Sequence, residues 1–117
     1  MILFSWKEQK ERRSRTGSGR EKAIKLSSSV IRTAFFETEL DAYLKSLQAD
    51  TLIVCGMMTH MCVDTTVRAA MDYGYQVKLA ADACATMDLN LNGETIPADT
   101  VHKAFIAALD GVFAEII

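Results

Sequence analysis

Residues 7–22 are polar throughout, and the apolar positions that can specify a fold lie mostly after them. From Thr38 the chain reads Thr-Glu-Leu-Asp: Thr38 is placed to cap a helix, two acids fall in its first turn, and Leu40, Tyr43, Leu44 and Leu47 follow the i, i+3, i+4, i+7 spacing of one buried stripe. This helix is predicted to end near Gln48. Thr51 to Cys55 is a continuous apolar run without alternation, the pattern of a strand covered on both faces in a parallel sheet. A second helix is predicted from about Met61 or Cys62 to Tyr73, with Val63, Thr66, Val67, Ala70 and Met71 turned inward and Gly74 as a left-handed stop. Tyr75 to Ala81 reads as the next strand, Asp82 to Thr86 as the segment just past its carboxyl end, and Asp88 to Gly93 as an open loop. Pro97 opens a last helix, whose Val101, Phe105, Ala108, Leu109, Val112 and Ile116 form one long stripe.

The order helix, strand, helix, strand, helix implies parallel strands joined by right-handed crossovers, an α/β fold built as a doubly wound three-layer α/β/α sandwich. Ligands of such sheets bind beyond the carboxyl ends of the strands. Gly56 to Cys62 and Asp82 to Thr86 both fall at that edge, which makes them candidates for one site. So few strands make a thin sheet, and one edge or face is expected to be bare. Residues 1–28 read as a basic, disordered arm: a helix over residues 5–14 is open to the charged helix formers, but Gly17 and Gly19 break it, and so polar a stretch cannot offset its ordering entropy. The folded domain is expected over residues 29–117, with Val30-Ile31 as a short first strand.

Composition sharpens this division. The net charge of −2 conceals nine of the thirteen Lys and Arg and three of the fifteen acids in residues 1–32, a local +6, against four and twelve in residues 33–117, a local −8. A basic arm can neutralise phosphates, yet this one has no aromatic interleaving beyond Phe4 and Trp6 and no reading module, so it is taken as a solvated tail and nucleic acid is not an expected partner. With 117 residues, 50% of them hydrophobic, there is material for one core. No apolar run approaches the ~18 residues of a membrane span and no secretory leader opens the chain, so a cytoplasmic protein without membrane partners is expected. Three cysteines, Cys55, Cys62 and Cys84, have no zinc spacing and are expected as reduced thiols.

Cys62 carries the chemistry. A thiol placed after a strand and a turn, where a helix begins, meets unpaired N–H groups that favour thiolate, the position of a nucleophile; the alternative is a small buried hydrophobe. Cys55 reads as core, and Cys84 as packing or pocket edge. His60 is placed at a pocket rim or in solvent, because residues i and i+2 do not face each other on a helix, and His102 on the surface. Thr59 and Thr66 are expected to fix the turn and helix through their hydroxyls, and Asp82 to order a loop or cap Ala85 and Thr86. Met57, Met58 and Met61 suit either an adaptable pocket wall or core filling, and Phe35 and Phe36 either line that pocket or pack beneath it.

The run Gly56-Met57-Met58-Thr59-His60-Met61-Cys62-Val63-Asp64-Thr65-Thr66 resembles the isochorismatase-like cysteine hydrolases, whose signature is a strand followed by G-x-x-T-x-x-C-V-x-x-T. Phe35 to Leu40 resembles the family's F-x-x-T-x-L helix start, Gly74-Tyr75 and Asp82 to Thr86 the segment after its catalytic helix, and Gly93 to His102 its closing helix. The resemblance covers residues 33–117 and the C-terminal half of the family domain, with the N-terminal strands truncated. It implies a hydrolase acting on an amide, imide or vinyl-ether small molecule: Cys62 as nucleophile, the backbone N–H groups of Met58 and Cys62 as oxyanion donors, and a cis peptide at Met57–Met58, with no cofactor and no metal. Phe35, Met57, Thr59 and His60 are the candidate substrate-pocket residues.

Two family residues have no counterpart. The family's aspartate base belongs to an N-terminal strand, and no Asp precedes Asp41; the family's lysine falls where this chain has Ser28 and Ser29, flanked by Lys25 and Arg32. The abrupt composition of residues 1–32 suits a truncated or shifted reading frame joined to a family C-terminal half. The alternative to a hydrolase is therefore a non-catalytic fragment or pseudoenzyme that acts by oligomerising, with itself or a family member, through its bare sheet edge.

Overall fold

The computed structural model describes residues 2–6, 22–25, 33–35 and 39–117. The Val30-Ile31 strand and the Thr38 cap lie outside the described residues, as do Phe36 and residues 7–20. A five-stranded sheet in the order β2-β1-β3-β4-β7 organises the fold, with β1 at Ile2–Trp6, β2 at Lys22–Lys25, β3 at Thr51–Met57, β4 at Gln76–Ala85 and β7 at Glu115–Ile116. The helices are α1 (Leu40–Ser46), α2 (Asp64–Asp72) and α3 (Ala98–Leu109), and a separate hairpin pairs β5 (Leu89–Leu91) with β6 (Glu94–Ile96).

The expected parallel sheet is present in β3, β4 and β7. Both crossovers, β3-α2-β4 and β4-α3-β7, step in the same direction across the sheet, and right-handed connections therefore place α2 and α3 on one face, where they touch. β3 is covered as its unbroken apolar run requires: Thr51, Leu52, Val54 and Cys55 are all buried. Leu44, Leu52, Leu79 and Leu109 are fully buried and join Val63, Val67 and Ala70 in one core. Each such leucine contributes about 2 kcal/mol by leaving water.

Several elements differ from expectation. Residues 2–6 and 22–25 of the supposed arm are strands, and β1 runs antiparallel to β3, so the edge of β3 is covered rather than bare. The run Ile-Leu-Phe-Ser-Trp is rich in strand-forming residues, and an existing edge rewards it with a ladder. α1 begins at Leu40 with Leu40 and Leu44 buried, but Tyr43 is exposed, so its inward stripe is narrower than predicted. Met71 is likewise exposed near the end of α2. The supposed loop over Asp88–Gly93 is most of a hairpin, turned at Asn92 and Gly93, whose φ values of 51° and 78° are those of a type I′ turn. The last helix stops at Leu109: Val112 is exposed, and Ile116 lies in β7, where pairing with Leu79 takes the chain back into the sheet.

At the amino end of β4 the Tyr75 hydroxyl donates to Asp41 Oδ1 at 2.7 Å, and Lys45 Nζ stands 2.6 Å from Asp41 Oδ2. Lys45 and Tyr75, in that order, hold the Asp41 carboxyl below its usual range against the opposing effect of burial. Burial and the Asp41 hydrogen bond push the Tyr75 phenol well above its ordinary value. A carboxylate with a depressed folded pKa contributes stability above its unfolded pKa, and that contribution is lost as pH falls through the folded value. Tyr75→Phe is accordingly expected to lower the thermal midpoint by about 3–6 °C at pH 7, with the gap to the unaltered chain closing below about pH 4 in calorimetry. Gly93 has open space where a side chain would stand, so Gly93→Ala tests conformation alone: at φ +78° it is expected to cost about 1 kcal/mol in urea titration with an unchanged m-value.

Candidate functional site at the end of β3

β3 and β4 separate at their carboxyl ends. Val54 pairs with Leu79 but Gly56 pairs with Cys84, two steps along β3 against five along β4, so extra β4 residues bulge out of the ladder. β4 thus continues through Ala85, and Asp82 is an exposed residue within the strand rather than in a loop beyond it. Gly56 has φ 132°, a conformation that side chains rarely adopt, and the Met57–Met58 peptide after it is cis.

The chain then enters a π-helical turn, Thr59–Val63, before α2. The Met58 carbonyl accepts the Val63 N–H at 3.3 Å, the i→i−5 bond of that geometry, and the Met61 N–H at 3.1 Å. Helical structure therefore begins at Thr59, two to three residues before the predicted start, because a π turn accommodates an additional residue ahead of the α-helical ladder. Cys62 lies inside this turn and is half-buried.

Two imidazole–hydroxyl bonds tie the turn to its neighbours. Thr59, fully buried, has its Oγ1 3.0 Å from Nδ1 of His102 on α3, and Nδ1 of the next residue, His60, is hydrogen-bonded to Oγ1 of Thr86, just past β4. The His60 ring also meets Phe105 of α3 edge-on, with centroids 6.0 Å apart. His102 is thus half-buried and engaged, not a surface residue. No local pattern announces this partnership, since Thr59 and His102 are 43 residues apart. Further along, the Asp88 carboxylate accepts the Ala98 N–H at 2.8 Å and so caps α3 from across the hairpin, another contact between residues distant in sequence.

The other candidates are dispersed. Met57 is 55% exposed, at the mouth of the corner. Phe35 is buried and stacked on Tyr73 at 4.8 Å and Tyr75 at 6.0 Å, near the amino end of β4. Thr66 accepts the Ala34 N–H at 3.1 Å, anchoring that segment to α2. Cys55 is buried, and Cys84 is half-buried with its thiol directed to the Ala80 carbonyl at 3.3 Å. Burial is the main cause that pushes the Cys84 thiol up. Among the described residues no three His, Cys, Asp or Glu side chains converge as a metal site, and no helix is long and apolar enough to cross a membrane.

The isochorismatase domain profile matches residues 30–117. An uncharacterised isochorismatase family protein of Bacillus subtilis is 47% identical over 83 residues, covering 71% of this chain and 46% of that protein. A streptothricin hydrolase of Streptomyces noursei is 39% identical over 73 residues, 60% of this chain and 26% of that one. Nicotinamidase of Escherichia coli is 34% identical over 76 residues, with 60% and 33% covered. Among solved structures, an isochorismatase hydrolase of Oleispira antarctica superposes with TM-score 0.69 at 45% identity over 72% of this chain and 44% of its own, and a cysteine hydrolase of Pseudomonas syringae with TM-score 0.70 at 31% identity over 74% and 41%. The chain spans about half the length, or less, of these relatives. With the profile covering most of its length and the fold shared, the chain belongs to the isochorismatase family of hydrolases.

Proposed function

We propose that Cys62 is the nucleophile of a cysteine hydrolase acting on the carbonyl of a small amide or imide. The observation that carries this is the position of Cys62: half-buried, in a helical turn entered directly from β3, at the carboxyl edge of parallel strands where α/β sheets bind ligands. The thiolate adds to the carbonyl carbon and the electron pair moves to oxygen, where the backbone N–H groups of Met58 and Cys62 receive it. As the intermediate collapses, the carbon–nitrogen bond breaks and the leaving nitrogen takes up, through solvent, the proton that the thiol gave up; the thioester left behind is then hydrolysed by water to the acid and the free Cys62 thiol. That one of the relatives is a nicotinamidase supports amide-type substrates over vinyl ethers.

The proton of the Cys62 thiol needs an acceptor, and no aspartate precedes Asp41 in the sequence. General-base help to that proton is worth about 10²–10⁴-fold. The same observation favours a second reading, in which the chain is non-catalytic and works by assembling with another copy or a family member. Sedimentation tests it: a monodisperse monomer at micromolar concentration rejects assembly.

Alkylation tests the nucleophile. With iodoacetamide at pH 6, Cys62 of the folded chain is expected to react at least tenfold faster than the same cysteine in urea, and Cys84, its thiol pushed up by burial, more slowly than in urea. Cys62→Ser removes the fast phase. A Cys62 rate no higher than in the unfolded chain, read by mass spectrometry of the labelled peptides, overturns the reading.

A further inference from the structure

The turn that carries Cys62 is held by more than its own backbone. Its first two residues each make one imidazole–hydroxyl bond, with the roles reversed: Thr59 supplies a hydroxyl to His102, and His60 supplies a ring nitrogen to Thr86. The partners belong to different elements, α3 and the exit of β4. The two bonds differ in setting. The Thr59 hydroxyl is sealed in a residue with 0% exposure, so its loss leaves a polar atom in a dry site, whereas His60 and Thr86 are only half-buried and water can replace their bond.

We infer that His102 is a positioning residue: through Nδ1 it fixes the Thr59 hydroxyl and thereby holds the Met58–Cys62 backbone, which sets where the thiol and the neighbouring N–H groups point. α3 then serves the site as a strut, although His102 stands 40 residues beyond Cys62 in the sequence. Among the described residues His102 is the partner of that hydroxyl, and Met58 is the hinge of the turn, its carbonyl accepting the N–H groups of both Met61 and Val63. A displaced Thr59 would shift the residue on either side of it. This inference rests on the hydrolase reading only for its effect on Cys62; the effect on the turn is independent of the chemistry.

Three variants of the full chain separate positioning from mere packing. His102→Leu keeps an apolar volume and removes the ring nitrogen, His102→Asn places a polar atom where Nδ1 stood, and Thr59→Val keeps the buried shape without the hydroxyl. Amide hydrogen exchange is read over residues 57–63 and, separately, over α2 and β4. His102→Leu and Thr59→Val are expected to speed exchange in the turn at least tenfold while α2 and β4 change less than twofold, His102→Asn to restore protection, and the double variant to be no worse than either single one. Cys62 alkylation at pH 6 is expected to fall at least threefold in the first two variants and recover in His102→Asn. Exchange that rises equally throughout, or that is unchanged in the turn, overturns the inference, as does failure of His102→Asn to rescue. Should His102→Leu not fold, Thr59→Val and His102→Asn carry the same comparison. A parent chain whose Cys62 reacts no faster than in urea refutes the hydrolase reading, and the exchange result still decides the role of His102.

Discussion

The backbone at Gly56 is the constraint on which the site depends. β3 must stay flat and buried through Cys55 to complete the core, and two residues later the chain must turn sharply into a helix. Gly56 at φ 132° is where these demands meet, since a side chain would oppose that conformation. The adjoining strand accommodates the same corner by bulging, with Cys84 rather than an earlier β4 residue opposite Gly56. Packing of Val63, Val67 and Ala70 against the sheet then fixes α2 and, through its first turn, Cys62. Core stability and thiol placement are consequently one problem in this protein: the residues that bury the strand also aim the helix.

Legibility in the sequence follows the range of the interaction. β3 and α2 are written in local patterns, an unbroken apolar run and a 3.6-residue stripe, and both are found in those segments, although β3 runs on to Met57 and the helix is entered through a π turn. The Asn92-Gly93 pair is a strong hairpin signal, but it is flanked by strands of three residues each, too short for alternation to register. β7 is shorter still, and its Ile116 continues the α3 stripe in phase, so only the β4 edge reveals that it is a strand. Of the site, Cys62 and the turn are legible because strand, glycine and helix start are contiguous. The Thr59–His102 bond is invisible to any window, since α3 reaches the turn only after the chain has crossed the sheet and returned. The stack of Phe35 on Tyr73 and Tyr75 is equally hidden, since it joins rings about 40 residues apart in sequence.

The polarity of β1 has an electrostatic consequence. Because β1 runs against β3, Ile2 lies beside Cys55 while Trp6 lies beside Thr51, and Ser5 pairs with Lys22. The facing ends of β1 and β2, Trp6 and Lys22, thus lie toward the amino end of β3. A seven-residue strand is about 20 Å long, and the Debye length at physiological salt is about 8 Å. Positions at opposite ends of β3 are therefore more than two screening lengths apart. The two described lysines of β2 illustrate the scale: Lys22 pairs with Ser5 toward the amino end of β3, whereas Lys25 pairs with Ile2, one strand from Cys55, so the register of the sheet decides which backbone position of that basic strand lies beside the corner.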